Sequence, residues 1–234
     1  MNIIITGAGR GIGYETVKHF CSMKGNQIIA ISRNISALQK LSNEIPVGKN
    51  SSYLYPVSIN LDKKGFEKDL LSHVLDRLKK IDILVNIAGV LINKRIQKLT
   101  SEDFDTMFSV NTKAPFLIVK ALLPYFNKPS HIVNISSMGG FQGSVKFSGL
   151  SLYSASKGAL AILTECLAEE LKEKDIKVNC LALGSVQTEM LAEAFPGYKA
   201  QSGPAEMAEF IDNFALNAHR NMNGKIIPVS STTP

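Results

Sequence analysis

An α/β fold, with a doubly wound parallel sheet and helices on both faces, is predicted by three features of this 234-residue sequence. Short apolar runs alternate with stretches of helical periodicity along the chain. The first run, Asn2 to Ile5, ends in Gly7-Ala8-Gly9-Arg10-Gly11-Ile12-Gly13, which opens into helical spacing at Tyr14, Val17, Phe20 and Cys21. Short connections between the runs imply right-handed crossovers.

The order strand, glycine turn, helix places bare backbone N–H groups and a helix N-terminus where a phosphate can sit. The glycines do not follow the G-x-G-x-x-G dinucleotide fingerprint; starting from Gly7, the sixth position is Ile12. The spacing that fits is Gly7-x-x-x-Gly11-x-Gly13, with a longer turn. Gln27 to Ser32 reads as the second strand and Arg33 follows it, about 20 residues past the turn, where an acid holds the ribose 2′-hydroxyl of NAD or an Arg holds the 2′-phosphate of NADP. Arg33 has no acid beside it, and Arg10 can approach the same phosphate from the turn, so NADP(H) is favoured over NAD(H). The plainer alternative for Arg10 is a solvent-facing loop residue.

Asn34 is expected to cap a helix whose apolar positions are Ile35, Leu38, Leu41 and Ile45. Ser52 to Ser58 is a strand closed by Asn60-Leu61-Asp62, before a helix with Phe66, Leu70, Val74 and Leu78 inward. Ile83 to Asn86 is the fourth strand, leading into Ala88-Gly89. Thr100-Ser101-Glu102-Asp103 resembles a capping box, starting a helical stretch toward Val110-Asn111 that continues through Phe116, Val119, Leu122, Leu123 and Phe126. Asn111 is unusual inside a helix because its side chain competes for backbone groups; bending the helix and coordinating a water are two reasons to keep it. His131 to Ile135 is the fifth strand, with Ser136-Ser137 at its C-terminal end, where ligands bind in such sheets. Lys177 to Leu183 is a sixth strand, followed by the turn Gly184-Ser185-Val186-Gln187-Thr188 and a short helix from Glu189 to Ala194. Pro204 begins a further helix and Lys225 to Val229 is the last strand. No repeat or linker interrupts this order, so residues 1–234 are expected to form one domain.

With 45% hydrophobic residues the chain has ample material for a core. No apolar run approaches the ~18 residues that span a bilayer, and the N-terminal run is too short for a signal peptide, so a cytoplasmic protein is expected. The formal charge of +6 is spread along the chain without a long basic run, which argues against a nucleic-acid partner. Cys21, Cys166 and Cys180 have no Cys-x-x-Cys spacing and are expected to be buried fillers; the four His are as scattered, and no metal site is assigned.

The chemistry is expected at Tyr153-Ser154-Ala155-Ser156-Lys157, at the start of a run through Ala159, Ile162, Leu163, Cys166 and Leu167 to Leu171 with helical spacing. Tyr153 and Lys157 stand at i and i+4 and share a helix face. A phenol with an unperturbed pKa of about 10 becomes a usable acid and base beside an ammonium, which favours the phenolate. The plainer reading is a surface Lys lying along a Tyr ring.

Taken together, the residues resemble the short-chain dehydrogenase/reductase superfamily in its single-domain form, over nearly the whole chain. Thr6-Gly7-Ala8-Gly9-Arg10-Gly11-Ile12-Gly13 matches its Thr-Gly-x-x-x-Gly-x-Gly; Asn86-Ile87-Ala88-Gly89 resembles its Asn-Asn-Ala-Gly; Asn111, Ser137, Tyr153 and Lys157 follow its catalytic tetrad in order. The resemblance implies a Rossmann-like fold and hydride transfer between nicotinamide and a ketone, aldehyde or secondary alcohol, 3-oxoacyl substrates among them. It implies Tyr153 as general acid, Ser137 bonded to the reacting oxygen, Lys157 lowering the Tyr153 pKa and binding ribose, and Asn111 holding a water. Cofactor contacts are implied at Gly7, Gly9, Arg10, Gly11, Ile12 and Gly13, at Arg33, Asn60 and Leu61, at Asn86, Ala88 and Gly89, and at Tyr153, Lys157, Gly184, Val186 and Thr188. A homodimer or homotetramer is implied, built on apolar residues of the Tyr153 and Asn111 helices.

Four departures stand against the family pattern: Ile87 in place of the second Asn, Leu183 before Gly184 in place of Pro, a longer connection from Ser137 to Tyr153 that leaves Ser136 as an alternative, and no glycine pair after the last strand. Met138, Phe141, Phe147, Leu150, Met190, Phe195 and Tyr198 lie in the stretches expected to wall a pocket for an apolar or medium-sized carbonyl compound, or else are ordinary loop packing. Two other functions fit the fold. A regulatory protein that senses NADP(H) without turnover has no use for a complete tetrad, and a sugar-nucleotide epimerase needs a larger C-terminal substrate domain than follows Lys157.

Overall fold

A computed structural model describes residues 1–45 and 51–231. Strands β1 (Asn2–Thr6), β2 (Gln27–Ser32), β3 (Tyr53–Ser58), β4 (Ile81–Asn86), β5 (Phe126–Ser137), β6 (Ile176–Leu183) and β7 (Ile226–Val229) form one sheet in the order β3-β2-β1-β4-β5-β6-β7. Every pairing is parallel. The helices are α1 (Gly11–Ser22), α2 (Ile35–Glu44), α3 (Phe66–Arg77), α4 (Ser101–Phe108), α5 (Ala114–Leu122), α6 (Ser151–Glu170), α7 (Glu189–Ala194) and α8 (Pro204–Asn217).

Alternate strand residues feed two cores. Ile4, Ile29, Leu84, Ile132 and Val178 pack under α3, α5 and α6. Ile3, Ile5, Ile28, Val85, Val133 and Leu181 pack under α1, α2 and α8. Both faces being covered is why the strands read as continuous apolar runs. The sheet order reverses between β1 and β4, which opens a crevice at their C-terminal ends, bounded by Gly7 and Ala88.

The expected caps form: Asn34 Oδ1 accepts from Ala37 N at 3.1 Å, and Thr100 with Asp103 makes the capping box at the start of α4. Three expectations change. β5 begins at Phe126, where the helical reading had the chain still in a helix, because Phe126 pairs beside Ile81. Asn111 sits in a π-helical turn, Ser109–Lys113, between α4 and α5; the extra residue in that turn carries its side chain inward. On α6 the buried face is Lys157, Leu160, Ala161, Thr164, Leu167 and Ala168, leaving Ile162 58% exposed. Cys166 is exposed as well, so only Cys21 and Cys180 are core fillers. Among the described residues no helix is long and apolar enough to cross a membrane, and no three His, Cys, Asp or Glu side chains gather as metal ligands would.

Candidate active site

The glycine turn is shaped by a close approach of two backbones. Gly7 has φ +76°, and a Cβ built on it would stand 2.7 Å from Ala88 N, so the first turn glycine lies against the segment after β4. Gly13 presses in the same way on the Gly7 carbonyl. Thr6 Oγ1 accepts from both Ile87 N and Ala88 N at 3.1 Å, tying the two segments together. These bonds use the backbone of Ile87, so the missing Asn side chain costs neither of them. Beside the turn lies a cleft of ≈ 620 Å³, lined by Gly9, Arg10, Gly11, Tyr14, Ala37, Lys40, Gln187, Thr188 and Glu189 among others. A backbone that excludes any Cβ at Gly7, next to a cleft at a helix N-terminus, fits a dinucleotide diphosphate.

The remaining cofactor candidates fall around this crevice. Arg33 is exposed just past β2. Asn60 is exposed too, but its Oδ1 already accepts from Asp62 N at 3.1 Å in a local turn, while Leu61 is buried. Asn86 is buried and donates Nδ2 to Asn134 Oδ1 at 2.9 Å; Asn134 passes the chain on to Thr164 on α6. The Asn86 Oδ1 atom is buried with no hydrogen-bond partner among the described residues. Gly184 N donates to Val229 O at 2.8 Å, so the chain turns off β6 without a Pro at 183. Val186 is buried and bridges Ser202, and Thr188 caps α7 through Leu191 N while its methyl group lies over Gly11. Arg10 lines the same cleft. Its guanidinium pairs with Glu193 of α7 on the exposed side of the turn, because a carboxylate is brought there from 183 residues away.

The four catalytic candidates meet at the C-terminal end of β5. Ser136 and Ser137 point opposite ways, as neighbours in a strand must. Ser136 Oγ donates to the Lys157 carbonyl at 2.8 Å and holds α6 to the sheet, whereas the Ser137 hydroxyl accepts from Gly139 N at 3.1 Å and lies on the side of the strand where it acts on the Tyr153 phenol. This orientation removes Ser136 from the reacting side. A Cβ built on Gly89 would lie 3.3 Å from both Asn111 Oδ1 and Lys157 Nζ, so these two side chains are neighbours across that glycine. Asn111 clamps the loop after β4. Its Oδ1 accepts from Val90 N at 2.8 Å, and its Nδ2 donates to Val90 O and to Ser156 Oγ, each at 2.9 Å. Both amide hydrogens are used, leaving one lone pair on Oδ1.

The electrostatics correct one expectation. The Tyr153 phenol is pushed above its ordinary value by burial, and the influence of Ser137 opposes this without overcoming it. Lys157 is 4% exposed, and burial pulls its ammonium down to about 8. Its Nζ donates to the Ile135 carbonyl at 2.8 Å. The shared helix face therefore does not by itself make Lys157 an influence on the phenol; desolvation acts on both groups and works against charge on each.

Of the expected pocket wall, Met138, Phe141, Met190 and Phe195 are partly exposed and Phe147 is exposed. Leu150 is buried in the core, and the Tyr198 hydroxyl bonds Ser185 Oγ at 3.1 Å beside a separate ≈ 480 Å³ cleft reaching β7. The sequence reading missed the Ile135 and Val90 backbone groups, Ser156, and Glu193. Only Ser156, one residue before Lys157, stood inside a stretch already singled out.

An α/β protein with a glycine turn at the sheet's switch point and this Ser, Tyr, Lys and Asn set is a Rossmann-like nucleotide-site protein in class. The short chain dehydrogenase family model matches residues 1–199. The chain therefore belongs to the short-chain dehydrogenase family of oxidoreductases. It is 32% identical over 189 residues to an uncharacterized oxidoreductase of Staphylococcus epidermidis, covering 80% of this chain and 78% of the relative. Among solved structures, an angucycline C-6 ketoreductase with bound NADP superposes with a TM-score of 0.84 at 26% identity, over 97% of this chain and 93% of that one. A 3-ketoacyl-(acyl-carrier-protein) reductase from Brucella melitensis, complexed with NADH, has the same fold with a TM-score of 0.84 at 24% identity, over 97% and 96%.

Proposed function

We propose that this protein is an NADP(H)-dependent carbonyl reductase or alcohol dehydrogenase acting on a ketone, an aldehyde or the corresponding secondary alcohol. The observation that carries this reading is the grouping of Ser137 at the end of β5 with the buried Lys157 ammonium, anchored to Ile135 of that strand, and with Tyr153 one helical turn from Lys157 on α6. When bound, the nicotinamide supplies the hydride. Tyr153, kept protonated by its burial, gives its proton to the carbonyl oxygen as negative charge develops there. The Ser137 hydroxyl, which accepts from Gly139 N, donates to that same oxygen. Lys157 stabilises the phenolate left behind and has two further N–H donors for ribose hydroxyls. Asn111 holds the post-β4 loop against the site, and its remaining Oδ1 lone pair is the place for a relay water.

Cofactor preference rests on Arg33, exposed at the end of β2 with no acid beside it, and on Arg10 in the turn. The similar ketoreductase with bound NADP is in keeping with this. The apolar side chains Met138, Phe141, Met190 and Phe195 favour an apolar or medium-sized carbonyl substrate. Exposed Phe104, Phe116 and Ile162, with Phe104 stacked on Phe108 at 4.3 Å, supply an apolar face for a homodimer or homotetramer.

Titration with NADPH and NADH, followed by a panel of ketones and aldehydes, tests the reading. Tighter binding of NADPH with consumption on at least one carbonyl is expected, and Arg33→Asp shifts the preference toward NADH. Binding without turnover on the whole panel moves the reading to a nucleotide sensor, and equal binding of both cofactors removes the roles given to the two arginines.

A further inference from the structure

Arg10 faces two directions at once. It belongs to the glycine turn and lines the cleft beside it, yet its fork is taken by Glu193: Nη1 lies 2.5 Å from Oε1 and Nη2 3.3 Å from Oε2. A second carboxylate of α7, Glu189, also attracts Arg10, and its Oε2 would stand 3.4 Å from a Cβ on Gly11. The helix that brings these acids is held from its other side, where Asn93 Nδ2 donates to Ala194 O at 2.9 Å. Two acidic groups are thereby fixed over a turn built to receive phosphate. A guanidinium fork accepts one bidentate oxyanion at a time, so a carboxylate and a phosphate compete for it.

We propose that Glu193 is a selectivity-determining residue, which holds Arg10 in the nucleotide-free protein and sets how strongly the site favours a 2′-phosphorylated nucleotide over an unphosphorylated one. This rests on the role given to Arg10 in the proposed function. Both partners are half-exposed or more, with side-chain exposures of 50% and 63%. The pair is therefore weak enough to be exchanged, and its effect on binding is modest. An unphosphorylated adenosine has nothing to offer Arg10 and leaves the pair closed; a 2′-phosphate must break it and also faces the charge of Glu189.

Calorimetric titration with 2′,5′-ADP and with 5′-AMP separates the terms without catalysis. Glu193→Gln is expected to tighten 2′,5′-ADP by about two- to fivefold, to leave 5′-AMP unchanged, and to give no gain in an Arg10→Ala background. An unchanged 2′,5′-ADP affinity in Glu193→Gln overturns the proposal, as does an equal gain for both nucleotides or a gain that persists without Arg10. Arg10→Ala alone tells which step failed: weaker 2′,5′-ADP binding keeps the cofactor reading while the Glu193 role falls, and no change removes Arg10 from the phosphate site and the proposal with it.

Discussion

The Lys157 ammonium donates to the carbonyl of Ile135 at 2.8 Å, a backbone group two residues before Ser137 on the same strand. The strand that presents the serine thus also anchors the lysine, so one element sets the spacing of both. Burial pulls Lys157 down to about 8 and pushes Tyr153 up. The group that titrates first in the free protein is therefore the lysine. Carbonyl reduction needs the cation, so kcat/KM is expected to be level below about pH 8 and to fall as pH rises through that value. A pH–rate profile checks this, because kcat/KM reports the free enzyme. A profile level to pH 10 would place the cation's pKa elsewhere.

The same burial has a cost in stability. A lysine depressed from 10.5 to about 8 is disfavoured as a cation in the folded state, so its charge opposes folding at neutral pH, and the penalty fades as pH rises from about 8 toward 10.5. Lys157→Met, which keeps the length without the charge, is expected to abolish reduction and to raise stability at pH 7 by ~1 kcal/mol or more. Chemical denaturation at pH 7 measures it; a loss of stability would mean that the bond to Ile135 outweighs the desolvation.

Asn111 makes three hydrogen bonds from the π-helical turn, two of them to Val90. Asn111→Leu leaves the Val90 N–H and C=O without their partner, and a destabilisation of ~2–4 kcal/mol is expected. NADPH affinity falls with it, because Gly89 is held by the next residue. Equal stability and affinity in the variant would reduce Asn111 to a packing residue.

Gly9 stands against Ser32, whose Cβ is 3.1 Å from a Cβ built on the glycine and whose hydroxyl is closer still. Gly9→Ala is expected to weaken nucleotide binding at least tenfold by pushing the turn off β2, at ~1.4 kcal/mol per tenfold. Adding Ser32→Gly should recover most of the loss. Failure of this double variant to recover would show that the turn, rather than the collision, needs glycine there.

What could be read from the sequence was whatever lies close along the chain or follows a period. The glycine turn, the Asn34 and Thr100 caps, the alternation of strand and helix, and the Tyr153–Lys157 helix face all have local spacing. The partners of the site residues do not. Lys157 and Asn111 bond to backbone groups of Ile135 and Val90, which carry no side-chain signature, and Glu193 reaches Arg10 across 183 residues. Periodicity placed Ile162 and Cys166 inward on α6; the buried face is turned toward Lys157 and Thr164, since a polar network through Asn134 and Asn86 occupies what apolar counting assigns to the core. The pKa direction at Tyr153 escaped for a related reason, because spacing measures proximity to a charge and not the loss of water.

Replacing Tyr153 by Phe separates proton transfer from cofactor binding when NADPH binding and carbonyl reduction are measured on the same preparation. Reduction is expected to fall by at least ~10²-fold, with the NADPH dissociation constant within a few-fold of the parent, since the phenol hydroxyl carries the proton and little of the binding surface. Reduction at the parent rate by Tyr153→Phe would contradict the role of Tyr153 as proton donor.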